Sequence, residues 1–307
     1  MKHIIIFPLF LTVLLAGCDV ESPIDKNQYP QKVYIVGAED IIVNRDVNIG
    51  EFQDTISVSV AVSGSLPSDK DVIVSIMEDS TAIATYNAKN LSVEEVQYQK
   101  LDNNIYSYPL DQLTINAGNV YNTYPIYIKP ATLHCDSLYM LPLKLKSTSA
   151  YELNKEDTIA LVKINLVNKY SGLYYVDAIL KNTTNPSDSL VYKMSRNLTA
   201  TGNGHTVRMY HYSNEYHTGD ANDYRPTFAF KISVNELDTI LTFSTWDQFK
   251  IYDGGGFYYP TLKLYDFWYE YDNNGTRWKA KGYLYKARET DEEQRIIDNW
   301  IEDQRSK

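Results

Sequence analysis

The chain has 307 residues, 44% of them hydrophobic, enough for a substantial core and for two domains of ordinary size. Its formal net charge of −10 gives it no electrostatic case for binding nucleic acid or an anionic lipid surface. Two cysteines cannot build a disulfide scaffold, so stability must come from packing.

At the N-terminus, Lys2 and His3 precede an apolar run from Ile4 to Leu15, closed by Leu15-Ala16-Gly17-Cys18. That run of about 12 residues falls short of the roughly 20 that a membrane-spanning helix needs. Small residues before a cysteine suit a signal peptidase and lipid attachment to the sulfur. Residues 1–17 therefore read as a lipoprotein signal peptide, with Cys18 as the lipid attachment site. Removing them takes away Lys2 and leaves a net charge of −11. Two or three acyl chains on one cysteine anchor stably without a spanning segment. Residues 18–32 are polar, contain Pro23 and Pro30, and read as an extended tether.

From Val33 onward, short β-type runs alternate with turn signals. Thr55 to Val60 alternates strictly, Leu66 to Asp71 is a turn, and Val72 to Met77 is the next strand. Leu113 to Ile115 and Tyr124 to Ile128 flank the turn at Ala117-Gly118-Asn119, and Leu138 to Leu145 and Thr158 to Val167 follow. About seven strands at this spacing predict an Ig-like β-sandwich over 33–168. A weak helix falls at Thr81–Asn87 or Val93–Gln99. Cys135, left without a partner once Cys18 carries lipid, is expected as an inert buried thiol in the strand-like stretch from Ala131 to Leu143.

Asn168-Lys169-Tyr170-Ser171-Gly172 marks a junction. A second β series over 169–290 predicts an antiparallel β-barrel or sandwich domain. Its clearest signal is Asn274-Gly275 between Thr261–Tyr271 and Arg277–Lys286, because both residues tolerate positive φ. Trp278 alternates in phase with Ala280, Gly282 and Leu284, which turns it toward the core. Residues 291–307 form an amphipathic tail that places Ile296, Ile297, Trp300 and Ile301 on one helical face. The fold class is all-β with a short C-terminal helix.

No catalytic centre emerges. Asp266 and Glu270 share a strand face, but a glycosidase needs two carboxylates opposed across a cleft. His205, His211 and His217 lack metal-ligand spacing, and Asp220-Ala221-Asn222-Asp223 lacks the glycine and distal glutamate of a calcium loop. Gly254-Gly255-Gly256 precedes aromatics rather than a helix, so phosphate cradling is unsupported. No cofactor is implied. Asp-Thr-Ile recurs at Asp54, Asp157 and Asp238, and Asp-Ser-Leu at Asp136 and Asp188; each reads as a turn residue before a strand start.

The 27 tyrosines and 4 tryptophans are the better lead. Aromatic rings stack on the C–H faces of sugars while nearby polar groups satisfy the hydroxyls. Phe257-Tyr258-Tyr259 sits in a glycine-rich stretch read as a loop, Trp246 lies just after a strand end, and Trp268 falls in a segment aromatic on both faces. Trp246, Tyr258, Tyr259 and Trp268 are thus the candidate glycan-binding residues. The plain alternative is that most tyrosines simply cover sheet surface.

Ala117-Gly118-Asn119 through Tyr139-Met140-Leu141-Pro142-Leu143, with Asp71-Val72-Ile73-Val74 and Tyr86-Asn87-Ala88 before it, resembles an Ig-like domain of unknown function common in Bacteroidota proteins. The second half, from Tyr170-Ser171-Gly172 to Tyr283-Leu284-Tyr285, resembles the β-barrel-like module that often follows it. The Asp-(Ser/Thr)-apolar triplets also resemble O-glycosylation acceptors of exported Bacteroidota proteins, and Asp19 and Glu21 resemble an acidic surface-export signal. The resemblance implies a surface-exposed outer-membrane lipoprotein of polysaccharide-utilisation loci, non-catalytic, that binds a glycan or another nutrient. Its partners would be a TonB-dependent transporter and that transporter's binding lipoprotein. An accessory or adhesin-like subunit, docking on the transporter through protein contacts, is the alternative.

Overall fold

The computed structural model describes residues 26–211, 227–286 and 288–307. Cys18, the signal-like segment, His217 and Asp220-Ala221-Asn222-Asp223 lie outside the described residues. The architecture is all-β, with two α-helices longer than one turn among the described residues. No helix among them is long and apolar enough to cross a membrane.

The N-terminal half is a sandwich. One sheet contains β1 (Lys32–Ile35), β3 (Asp54–Val62), β6 (Tyr106–Ser107), β8 (Tyr121–Ile128) and β10 (Glu152–Leu153) in the order β10-β1-β3-β8-β6. The other contains β2 (Ile42–Asn48), β4 (Val72–Glu78), β7 (Gln112–Ile115), β9 (Leu138–Thr148) and β11 (Ile159–Val167), ordered β2-β11-β9-β4-β7, with β5 (Tyr98–Lys100) beside β9. Valine and isoleucine dominate the core between them, and alternation in β3 sends Ile56, Val58 and Val60 inward. The helix forms at α1 (Ala82–Asn90), and the alternative at 93–99 is turn and extended chain. Strand β2 gives little sequence signal because Asn44, Arg45, Asp46 and Asn48 dilute its apolar residues. It is held by parallel pairing with β11, a partner remote in sequence.

Residues 168–171 turn the chain out of β11 into the second domain. There β12 (Gly172–Asn182), β13 (Ser189–Thr201), β14 (Thr206–Tyr210), β15 (Ala229–Val234), β16 (Leu241–Thr245), β17 (Ile251–Tyr259), β18 (Leu264–Asn273) and β19 (Thr276–Lys286) form one sheet ordered β16-β15-β14-β13-β12-β19-β18-β17. Its two end strands, β16 and β17, curl toward each other, and an Ile240–Phe257 bridge nearly closes a barrel. The Asn274-Gly275 hairpin joins β18 to β19 with φ of 51° and 81°, as the sequence indicates. Trp278 is buried as its phase requires.

Aromatic rings fill this barrel. Tyr265, Phe267, Tyr269 and Tyr271, alternate residues of β18, all point inward with Tyr174, Tyr192, Phe230 and Tyr258. A buried phenol needs a partner, and most find one: Tyr265 Oη donates to the Tyr170 carbonyl (3.1 Å) and Tyr192 Oη to the His211 carbonyl (3.1 Å). Rings this large crowd the strands, and glycines make room. A Cβ on Gly254 would sit 2.7 Å from Phe243 Cβ, and on Gly256 (φ +143°) it would overlap the Asp266 carbonyl. On Gly282 a methyl would overlap the Asp177 carbonyl and Ala178. The triple-glycine run is therefore a strand that permits closure, not a loop.

The C-terminal helix α2 (Asp291–Ser306) starts at Thr290, whose side chain accepts from the Glu293 amide. Ile297 and Ile301 are buried against Leu264 and Tyr283, and Trp300 packs edge-on to Tyr259 and Tyr283. Ile296 faces solvent instead, because the seat on the barrel is narrower than the apolar stripe.

Gly282→Ala is predicted to cost more than about 3 kcal/mol, since rigid backbone rather than a movable side chain opposes the methyl. Gly118→Ala, at φ +84° with open space around it, should cost only about 1 kcal/mol of backbone strain. Urea unfolding of both variants measures the contrast; equal losses would refute the closure argument.

Candidate functional site

The two domains meet along a seam that leaves a groove. Gly204 (φ +85°) and Gly50 approach so closely that a Cβ on Gly204 would sit 2.4 Å from the Gly50 Cα. The Asn168 amide donates to the Thr206 carbonyl at 2.9 Å. Asp136 and Arg208 form an ion pair across the seam, with the Arg208 side chain only 11% exposed. These contacts fix the groove before any ligand arrives.

The floor of the groove is the outer face of β13 to β16. Val207, Met209, Phe230 and Ile232 point into the barrel, so their neighbours point out. Register then aligns Thr201 with Thr206 and Ser233, and Arg208 with Lys231 and Ser244. Trp246 follows two residues after Ser244 on the same face. The Thr206 and Ser233 hydroxyls hydrogen-bond to each other at 2.9 Å. The opposite wall comes from the turn after β2, with Ile49, Gly50, Glu51 and Phe52. The cleft between them has a volume of about 820 Å³. Phe52 is 85% exposed at its rim.

Trp246 is half-buried. Its ring lies 5.2 Å from the Arg208 guanidinium and 5.7 Å from the His134 ring, which hold it in place along the seam. This combination of one oriented indole and a hydroxyl-rich floor can stack an apolar face and satisfy polar edges.

The other three candidate aromatics lie elsewhere. Tyr258 is buried in the barrel, 4.8 Å from the Tyr265 ring and 5.1 Å from Tyr170, and its ring is closed to a ligand. Tyr259 is covered by Trp300 of α2. The expectation of an exposed aromatic loop fails for both because the glycines before them belong to strand β17. Trp268 points outward from β18 and does not line the groove, with the Lys279 ammonium 4.2 Å from its ring. The four residues therefore form no common site.

Asp266 and Glu270 stand on either side of Trp268 on one strand, not across a cleft. Glu270 is ion-paired with Arg277 (2.6 Å) and Lys279 (3.5 Å), while burial pushes the Asp266 carboxyl up. Cys135 lies in the turn before β9 rather than in the strand, half-buried at the seam, and burial raises its thiol. Ligand atoms of His134, Cys135 and Asp136 lie within 4.8 Å of one another. However, Asp136 is committed to Arg208, whose charge opposes a cation there.

A second cleft, of about 700 Å³, opens near the turn between β18 and β19 and is lined by His211, Phe249, Tyr271, Lys250 and Asn274. His211 is buried, with ring centroids of Phe249 and Tyr271 both at 4.3 Å and its Nδ1 2.6 Å from Tyr269 Oη. Burial first, and the Arg196 charge second, push its pKa down to about 3.

Two protein-family models account for most of the chain: an N-terminal-domain model matches residues 27–152 and a C-terminal-domain model matches 158–288. Among solved structures, a Bacteroides ovatus protein of unknown function aligns at TM-score 0.59 and 17% identity, covering 83% of this chain and 94% of its own. A multidomain protein including DUF1735, also from Bacteroides ovatus, aligns at 0.58 and 17%, covering 84% and 94%. An auxiliary nutrient binding protein from Bacteroides thetaiotaomicron aligns at 0.53 and 18%, covering 79% and 89%. No curated protein matches the chain.

His211 gives a pH prediction. Its folded pKa lies below the unfolded value near 6.5, so the unfolded chain binds the extra proton and stability falls as pH drops from 6.5 toward 3. Between pH 6 and 5, before the carboxylates titrate, the slope should approach about 1.4 kcal/mol per pH unit. His211→Gln should flatten it. Denaturant titrations across that window measure both, and parallel curves for the two proteins would contradict the assignment.

Proposed function

We propose that this chain, built from the N-terminal and C-terminal domains matched above, is a non-catalytic nutrient-binding protein whose ligand is a glycan held in the interdomain groove. One observation carries the reading: Trp246 is presented, oriented by Arg208 and His134, beside a floor of Thr and Ser hydroxyls. Sugars offer the matching surface, an apolar C–H face ringed by hydroxyls. A likeness of fold to an auxiliary nutrient binding protein supports the general role. The anchor is part of the same proposal. Cys18 carries lipid, and the body stands on the outer membrane, facing outward and serving a TonB-dependent transporter and its binding lipoprotein.

Trp246→Ala should weaken glycan binding by about 2 kcal/mol, roughly thirty-fold, while Trp268→Ala leaves it unchanged. Affinity-gel retardation on a polysaccharide that the wild type binds measures both. Retention of full affinity by the Trp246 variant would end the groove assignment. For the anchor, radiolabelled palmitate should enter the wild-type protein and not Cys18→Ser; labelling of both, or of neither, would remove Cys18 from the account.

A further inference from the structure

We infer that the groove selects acidic sugars, residues bearing a carboxylate or a sulfate, and that Lys231 is the group that reads the charge. The inference rests on the groove being a glycan site and adds the chemical class of its ligand.

Two cations are neighbours on the outer face of the barrel, because register sets Lys231 directly opposite Arg208 on β14, and Lys231 is the one that lines the groove. Among the described residues only one has a counter-charge. The Arg208 guanidinium is spoken for by Asp136 across the seam and by the Trp246 ring. Lys231 has neither hydrogen bond nor ion pair among the described residues, yet it is half-buried and lines the cleft. A lysine in such a position normally either finds a carboxylate or extends into bulk water. Here Ser244 is its partner in register on β16 and Trp246 comes two residues later, so Lys231 and the stacking ring line the same cleft. The spare positive charge is local, in a chain whose formal net charge is −10.

The arrangement also orients the ligand. Glu51 lies on the facing wall and is the acidic group of the lining. An anionic substituent is drawn to the Lys231 side and repelled from the Glu51 side, where the carboxylate accepts ligand hydroxyls instead. A neutral glycan finds the same ring and hydroxyls but leaves Lys231 without a counter-charge.

A glycan array probed with the soluble chain from residue 26 onward, followed by calorimetry on the tightest hit, tests this. The array should include uronate-containing, sulfated and neutral oligosaccharides. Hits should be acidic, with uronate and sulfate arms telling which anion is preferred. Affinity for the best acidic hit should fall roughly tenfold in Lys231→Gln, recover in Lys231→Arg, and weaken as salt rises. Circular dichroism melts of both variants should match the wild type, since the Lys231 side chain makes no hydrogen bond or ion pair among the described residues and both replacements keep its aliphatic stem. Hits confined to neutral glycans, or an unchanged affinity in Lys231→Gln, would overturn the charge selection while leaving the groove in place if Trp246→Ala still weakens binding. An array without hits would overturn the glycan reading itself.

Discussion

Closing an eight-stranded sheet around aromatic side chains is the constraint on which the C-terminal domain depends. Each inward position of β18 carries a ring, and neighbouring strands must yield space for them. They do so where Gly254, Gly256 and Gly282 remove the Cβ atoms that would strike a ring or a facing backbone. Burying so much aromatic surface supplies the main stabilisation, with the Tyr265 and Tyr192 hydroxyls returned to backbone carbonyls and the Tyr269 hydroxyl to His211. Ring-filled closure has a second effect. Rings occupy the barrel's centre, which leaves the proposed ligand to its outer surfaces, to the cleft at its end and to the seam with the neighbouring domain.

The seam is built for fixity. The Gly50–Gly204 approach, the Asn168 amide on Thr206 and the Asp136–Arg208 pair act at three separate points along it. Single surface ion pairs contribute little, but this one is largely desolvated on the arginine side and is joined to an indole. A groove held this way loses little conformational entropy when it is filled, which favours affinity from few contacts. The role proposed for Trp246 rests on that scaffold rather than on membership of an aromatic cluster.

Much of the architecture is legible in the residue order. The Asn274-Gly275 hairpin, the phase of Trp278 and the amphipathic C-terminal helix each follow from local rules, and the structure agrees with all three. Other features depend on contacts distant in the chain. Strand β2 has a diluted pattern and forms through β11, more than a hundred residues later. The glycine run beside Phe257 has the composition of a loop, and only barrel closure explains why it is a strand. Tyr258 and Tyr259 consequently drop out as ligand contacts. The groove itself was half visible: Trp246 stands out at a strand end, whereas Arg208, Lys231 and Ser244 are scattered and become neighbours only through register. Alternation in β14 and β15 already marks those polar residues as outward. What alternation cannot supply is the second domain standing over them.

The most direct test of the account is a crystal structure of the chain with an acidic oligosaccharide bound. The account predicts one sugar ring lying over the Trp246 indole between the domains, its anionic group turned toward Lys231. A ligand seated instead on the outer β17–β18 face at Trp268, or in the cleft beside His211, would contradict it.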